Sequence, residues 1–241
     1  MTYKKQHKHI NHYSNKVASM PTKKTFIYYE VLVALLVTTL IVSNIASVKL
    51  AQVGGLVFDA GTILFPLAYI IGDIITEIYG FRRMRRLLYI GLAMLGLTTM
   101  TFWLVGLLPT PADWQNQAAY DAILGVVWRI EFASMVAFFV GELINSYILA
   151  KLKIKTKGKK LWNRLVSSSA IGSLVDTVIF SLLAFGGTVS GQTMLQLVAT
   201  VYGIKLATEV LFSPLTMKII AYIKNKERLD TFEEPSLRIN G

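Results

Sequence analysis

Residues 61–86 read GTILFPLAYIIGDIITEIYGFRRMRR. This stretch is mostly apolar, but it contains two acids, Asp73 and Glu77, and it ends in four arginines. A helix that crosses about 30 Å of hydrocarbon needs roughly 20 mostly apolar residues, and positive residues flank such helices on the cytoplasmic side. The stretch therefore predicts a membrane-spanning helix that ends at the cytoplasmic face and carries charge at mid-depth.

Apolar windows of similar length occur on both sides of this stretch. Hydrophobic residues make up 54% of the chain and its mean hydropathy is +0.51, which is too apolar for an ordinary soluble domain. We therefore predict an all-α integral membrane protein, a six-transmembrane-helix bundle. Its predicted helices cover residues 26–48, 61–79, 87–108, 123–150, 165–185 and 194–220.

Lysine and arginine are distributed unevenly over the segments that connect these helices. Of the 25 Lys and Arg residues, 22 lie in the N-terminal tail, the second and fourth connections and the C-terminal end. The first connection has Lys49 alone, and the third and fifth have none. Because positive residues are retained on the cytoplasmic face, we expect a multi-pass protein of the cell membrane with both termini in the cytoplasm. Orientation thus explains the net charge of +11 better than nucleic-acid binding does.

The chain divides into a membrane domain and two tails. Residues 1–25 are basic and polar, so we expect disorder there. Residues 26–221 form the predicted six-helix domain, and residues 222–241 a cytoplasmic C-terminal tail. Between the first two helices, Gly54 and Gly55 separate two short apolar runs, which predicts a small external β-hairpin. The chain has no cysteine and no recognisable metal or cofactor motif, so we predict neither.

Several charged side chains fall inside the predicted spans. A charge at a helix centre costs about 2.5–3.5 kcal/mol on insertion scales, so such residues usually face a bundle interior or a wet cavity. Within the predicted spans, acidic residues outnumber basic ones. Even complete pairing therefore leaves acids that must be protonated, hydrated or matched by a ligand. Proton exchange by Asp73, Glu77 or Glu142 is one hypothesis that follows. The charged residues are Asp73, Glu77, Arg129, Glu131, Glu142, Asp176, Lys205 and Glu209.

Two interpretations of these charges stay open. In the structural one, Lys205 pairs with Glu209 one turn away on the same helix face. Arg129 then pairs with an acid such as Glu131, and Glu77 with nearby arginines. In the functional one, the charges and neighbouring aromatic rings surround a flat, nitrogen-rich ligand. The candidate rings are Phe65, Tyr69, Phe138, Phe139, Phe180, Phe185 and Tyr202.

The chain also resembles a known family in its motifs. The matching positions are Ser43-Asn44, Gly61 to Pro66, Asp73 to Gly80, Arg85-Arg86, Arg129-Ile130, Gly141, Ser173 to Thr177, Lys205 and Pro214. With these, residues 31–221 resemble the queuosine-precursor transporter family, also classed as vitamin-uptake transporters. The resemblance implies six helices and the uptake of 7-deazaguanine precursors of the tRNA nucleoside queuosine, such as preQ0, preQ1 or queuine.

The resemblance implies site residues position by position. It makes Asn44, Asp73, Arg129, Asp176 and Lys205 the candidates for binding or gating. The chain departs from the family pattern at two positions, since Glu142 stands where a neutral Gln is common and Asn145 where an acid is common. The predicted substrate-binding set is Asn44, Asp73, Glu142, Asp176 and Lys205, supported by Glu77, Arg129, Asn145 and Glu209.

We therefore predict a non-enzymatic secondary transporter that imports a queuosine precursor by alternating access, with proton coupling as a hypothesis. The alternative is the substrate-binding subunit of an energy-coupling-factor uptake system, which needs a separate ATPase module. The small-molecule substrate and the lipid bilayer are the expected partners, without nucleic acid. Residue patterns leave the exact ligand, the coupling ion and the oligomeric state open.

Overall fold

A computed structural model describes residues 26–53, 56–125, 128–187 and 189–237. The N-terminal tail, predicted to be disordered, lies outside the described residues. A short helical turn at Gln117–Tyr120 and a π-helical turn at Asp121–Gly125 precede the fourth long helix. The long helices are α1 (Ile27–Ala46), α2 (Phe65–Tyr79), α3 (Phe81–Gly106), α4 (Trp128–Lys155), α5 (Leu161–Phe185) and α6 (Gly191–Glu227).

Two short antiparallel strands connect α1 to α2. They are β1 (Leu50–Val53) and β2 (Leu56–Asp59), with Leu50 opposite Asp59. The two glycines between the strands lie outside the described residues, and a 3-10 turn at Ala60–Ile63 leads into α2. The position of this pair of strands on the external face of the membrane stays a prediction.

Five helices of the described residues are long and apolar enough to cross a membrane, by length and composition. They are α1, α3, α4 from Glu131 onward, α5 and α6. The 15 residues of α2 span only about 22 Å at 1.5 Å per residue, short of a 30 Å hydrocarbon core. Six membrane crossings and the cytoplasmic position of both termini therefore stay predictions.

Helix α2 lies at the centre of the bundle. Every residue from Ala68 to Tyr79 is buried, and α1, α3, α4 and α6 pack against it. Its apolar side chains, such as Ile75 and Ile78, pack with Leu36 of α1 and Ile220 of α6 in one core. A helix that is buried on all sides must satisfy its polar side chains within the protein. The acids of α2 therefore depend on neighbouring helices for their partners.

Glycines allow α4 and α5 to pack closely. A Cβ atom at Gly141 would lie 2.5 Å from the Cβ of Asp176, and one at Gly172 would lie 2.6 Å from the Cβ of Asn145. Small residues let the backbones of membrane helices approach each other. This contact brings Asn145 and Asp176 to neighbouring positions inside the bundle.

At the end of the bundle that carries most of the positive residues, the helices begin and end at other residues than predicted. Helix α3 begins at Phe81, α4 continues to Lys155, α5 begins at Leu161 and α6 passes residue 221 to end at Glu227. The predicted limits of the fourth and fifth helices, 123–150 and 165–185, placed Lys153 and Arg164 in the connection between them, and that was wrong. Both lie within helices and are 2% exposed. They point inward because both form ion pairs with the buried carboxylate of Glu77.

Candidate functional site

Polar side chains follow one face of each of α2, α5 and α6. Residues three or four apart in a helix lie on the same face. These faces point towards the interior, since most of their members are buried. The polar residues are Tyr69, Asp73 and Glu77 on α2, Ser169, Ser173 and Asp176 on α5, and Lys205 and Glu209 on α6.

The side chain of Asn145 holds two acids together. Its amide nitrogen donates a hydrogen bond to Asp73 Oδ1 at 2.8 Å and to Glu142 Oε2 at 3.2 Å. Ser146 donates to Glu142 Oε1 at 3.0 Å, and Ser169 donates to Asp73 Oδ2 at 3.4 Å. Asp73, Glu142 and Asn145 are fully buried. We name these three residues the acidic centre.

The acidic centre has no cationic partner among the described side chains. The ion pairs found among the described side chains all involve acids other than Asp73 and Glu142. Its hydrogen bonds instead come from neutral amide and hydroxyl groups. Within the described ranges, no group of three or more His, Cys, Asp or Glu side chains could hold a metal ion.

Lys205 of α6 forms an ion pair with Asp176 of α5. The structural interpretation paired Lys205 with Glu209, and the structure gives it a different partner on another helix. The Lys205 ammonium also lies 4.4 Å from the ring centroid of Phe65 at the start of α2, within the range of a cation–π contact. One cation thus links α2, α5 and α6.

A small cavity lies where these three helices meet. Its lining includes Phe65, Tyr69, Ser173, Lys205 and Glu209. The cavity volume is about 30 Å³, which is space for one or two water molecules. The cavity as it stands is therefore too small for an organic ligand that contains a ring.

Three buried polar groups on the cavity wall lack a hydrogen-bond partner within the described part of the chain. They are the hydroxyl groups of Tyr69 and Ser173 and the Oε1 atom of Glu209. Each of these residues is 5% exposed. Buried polar groups in proteins are normally hydrogen-bonded, to water or ligand where no protein group is available. These groups mark the cavity as the best candidate for a binding site.

Two of the predicted aromatic rings contribute to the cavity. Phe65 and Tyr69 line it, and Phe138 of α4 packs edge-on against both rings at centroid distances of 5.9 Å. The ring of Phe139 contacts Tyr89 instead. The aromatic part of the candidate site is therefore built mainly by the start of α2.

A separate cluster surrounds Glu77, one turn further along α2. Arg164 of α5 donates to both carboxylate oxygens, at 2.5 and 3.1 Å. Lys224 of α6 lies 2.7 Å from Glu77 Oε1, and Lys153 of α4 lies 3.6 Å from the same atom. Glu77 is thus paired with cations, although not with the arginines that follow α2. We name Glu77, Lys153, Arg164 and Lys224 the Glu77 cluster.

The structure does not bring every predicted site residue to this centre. Asn44 donates to the carbonyl oxygen of Leu40 at 2.9 Å and lines a second, smaller cavity with Glu131, between α1, α3 and α4. The side chain of Arg129 lies outside the described residues, so its pairing and its role stay predictions. Asp73, Glu142, Asn145, Asp176, Lys205 and Glu209 are the predicted residues that gather in the interior around α2.

The predicted site residues did not include the serines of α5 or the cations of the Glu77 cluster, although Ser173 lies in a stretch that matches the family pattern. Ser169 and Ser173 lie one turn apart on the face that carries Asp176, so their spacing could have indicated them. Lys153 and Arg164 gave no such signal, because a basic residue near a helix end is usually explained by orientation.

Apolar helices of membrane-spanning length that surround buried charges and a small cavity with polar groups on its wall are typical of multi-pass membrane proteins of the transporter class. The model of the family described as "Putative vitamin uptake transporter" matches residues 59–219, which run from the second strand into α6. The chain belongs to this family, and the resemblance found in the sequence is confirmed.

Curated relatives are named as transporters rather than as enzymes. A "Probable queuosine precursor transporter" of Bacillus subtilis is 28% identical over 190 residues, which cover 77% of this chain and 82% of the relative. A protein of the same name from Haemophilus influenzae is 25% identical over 125 residues, covering 52% of this chain and 51% of the relative. The "Queuosine precursor transporter" of Escherichia coli is 23% identical over 125 residues, covering 52% and 54%. No solved structure gave a significant match.

Proposed function

We propose that this protein is a secondary transporter that imports a queuosine precursor, a 7-deazaguanine base, by alternating access. The names of the relatives support the substrate class, and the family supports transport. The observation that carries the proposal is the cavity at the meeting of α2, α5 and α6. Its wall presents unpaired buried groups of Tyr69, Ser173 and Glu209, which a polar aromatic ligand would satisfy.

The chemistry of the cavity wall suits a guanine-like base. Adjacent N–H donors on such a base can both donate to one carboxylate, and Glu209 offers this acceptor. The hydroxyl groups of Tyr69 and Ser173 can donate or accept, and the Phe65 ring offers a stacking surface. We therefore assign Glu209 a direct contact with the ligand, in addition to the supporting role predicted from the sequence.

The Lys205–Asp176 pair is the proposed moving part of the site. The cavity must widen before a fused-ring base can enter, and this pair links α5 to α6 beside it. Because Lys205 also contacts Phe65 on α2, a base that stacks on this ring would displace the lysine. Asp176 would then exchange Lys205 for the ligand, which agrees with the substrate contact predicted for Asp176 from the sequence.

The acidic centre is the proposed proton site. Ser169 lines the cavity and donates to Asp73, so it connects the ligand site with the acids behind it. Burial of two ionised carboxylates without a cation is very costly, so we propose that Asp73 and Glu142 share a proton in this state. Glu77 is a weaker candidate for proton exchange, since three cations surround it.

Purified protein in liposomes tests this function. We expect uptake of a labelled 7-deazaguanine base without any added subunit, and faster uptake when the interior is made alkaline. Binding without uptake would instead favour the energy-coupling-factor alternative. Uptake that is independent of pH and of the proton gradient would exclude proton coupling. Glu30→Gln, an exposed change on α1, is a suitable control for changes at the buried acids.

A further inference from the structure

The chain stays in contact with the bundle after α6 ends. The backbone N–H of Thr231 donates to the carbonyl oxygen of Ile78 at 3.1 Å, at the end of α2. Two residues further on, the Glu233 carboxylate accepts a hydrogen bond from the backbone N–H of Arg82 at 2.7 Å. We name residues 229–237 the C-terminal strap, because they cross the adjoining ends of α2 and α3.

The strap shares two cations with the Glu77 cluster. Asp230 forms ion pairs with Lys153 and, at 2.9 Å, with Lys224. Lys153 also donates to the carbonyl oxygen of Thr231 at 2.9 Å. Since the same lysines contact Glu77, the strap and the ends of α2, α4 and α6 are held by one connected set of charges.

Two glycines make room for the strap. Gly80 ends α2 with φ of +91°, and a Cβ atom there would lie 2.6 Å from the Glu233 carboxylate. Gly158, between α4 and α5, has φ of +77°, and a Cβ atom there would lie 2.9 Å from the Phe232 ring. The same ring lies 4.6 Å from the Lys153 ammonium. A side chain in place of either glycine would therefore collide with the strap, although the Phe232 ring itself is half exposed.

The Glu77 cluster separates the strap from the acidic centre. Glu77 follows Asp73 by one turn of α2, or about 6 Å along the axis. The side chains of Glu77, Lys153 and Arg164 are at most 3% exposed, so this end of the bundle is closed. A ligand that moves from the cavity towards the predicted cytoplasmic face would meet first the cluster and then the strap.

We propose that the Glu77 cluster and the C-terminal strap together form the cytoplasmic gate, and that ligand release requires the strap to detach. The inference rests on the proposed transport by alternating access. Buried charges that share partners have few stable arrangements, because the loss of one partner leaves another charge uncompensated. Such a network is suited to a gate with two discrete states.

A reversible crosslink tests whether the strap must move. The chain has no cysteine, so Arg82→Cys with Glu233→Cys places one reactive pair between α3 and the strap. We expect a short cleavable crosslinker that carries two thiol-reactive groups to lower uptake about tenfold or more, and cleavage to restore it. Each single variant, treated identically, is the control. Full uptake by the crosslinked protein would overturn the proposal.

Cysteine labelling gives a second test that needs no ligand. With Ser173→Cys as the reporter in the cavity, Asp230→Asn should raise the rate of labelling by an impermeant maleimide about tenfold. The increase should occur only from the side that the C-terminus occupies. Glu234→Gln, an exposed acid of the strap, should leave the rate unchanged. An unchanged rate in Asp230→Asn, or an increase from the opposite side, would overturn the gate even if the substrate assignment were correct.

Discussion

Lys205 on α6 pairs with Asp176 on α5, and not with the acid one turn away on its own helix. This choice of partner has two consequences. It connects two helices beside the cavity, and it leaves Glu209 without an ion-pair partner among the described side chains. The interior therefore contains both a charge pair that links two helices and a buried acid that no described cation neutralises.

Replacement of one member of this pair should destabilise the fold. Asp176→Asn leaves the Lys205 ammonium, whose side chain is 14% exposed, without its carboxylate. Loss of one partner of a buried pair costs about 3–5 kcal/mol, so we expect a lower thermal unfolding temperature and loss of uptake. The double change with Lys205→Met should recover stability but not uptake. Wild-type stability in Asp176→Asn alone would contradict the structural importance of the pair.

The contact between α4 and α5 should not accept a methyl group. In Gly172→Ala the new Cβ would lie 2.6 Å from the Cβ of Asn145, and we expect a loss of about 1–3 kcal/mol from overpacking. Gly96→Ala on α3 is the matched control, because no atom lies within 4 Å of the added group. Thermal unfolding in detergent measures both. Equal stability of the two variants would show that the helices are further apart.

Glu77 should be essential for folding. Glu77→Gln leaves Arg164, Lys153 and Lys224 without their shared carboxylate, and we expect a loss of about 3–5 kcal/mol. The yield of folded protein after detergent extraction, compared with Glu30→Gln, measures the effect. A normal yield would mean that the three cations find other partners.

The attachment of the strap should not depend on pH near neutrality. Partial burial raises the pKa of Asp230, but hydrogen bonds from Lys153 and Lys224 outweigh it, so the pKa lies below its usual value. A carboxylate with a lowered pKa contributes stability above its unfolded pKa of about 3.9 and loses it as the pH falls through the folded pKa. The maleimide reacts with the thiolate, so the labelling rate of the cysteine itself rises with pH. The ratio of the labelling rate of Ser173→Cys with Asp230→Asn to that of Ser173→Cys alone removes this effect, and it should be constant between about pH 5 and pH 8. A steep fall of this ratio below about pH 6 would indicate another titrating group.

The sequence was sufficient for the class of protein and for much of the polar centre. Hydropathy and the asymmetry of Lys and Arg predict a polytopic membrane protein, and family membership is confirmed. The cost of charge in lipid identified Asp73, Glu142, Asp176, Lys205 and Glu209 as interior residues. All five lie in the interior around α2, and four of them are buried, whereas the side chain of Lys205 is 14% exposed.

The partners of these charges could not be derived from the sequence. Spacing within a helix favoured Lys205 with Glu209, but the packing of α5 against α6 brings Asp176 to the lysine instead. Likewise, a basic residue at a helix end is explained by membrane orientation alone. Only the folded chain shows that Arg164 is directed inward to Glu77.

Ligand protection of a cysteine in the cavity tests the central claim most directly. Ser173→Cys is the reporter, and Ser190→Cys at the start of α6 is the exposed control in a chain without other cysteines. We expect that a saturating 7-deazaguanine base slows maleimide labelling at position 173 and leaves labelling at position 190 unchanged. Labelling at position 173 that is unaffected by the base, in protein that still transports it, would contradict a binding site in this cavity.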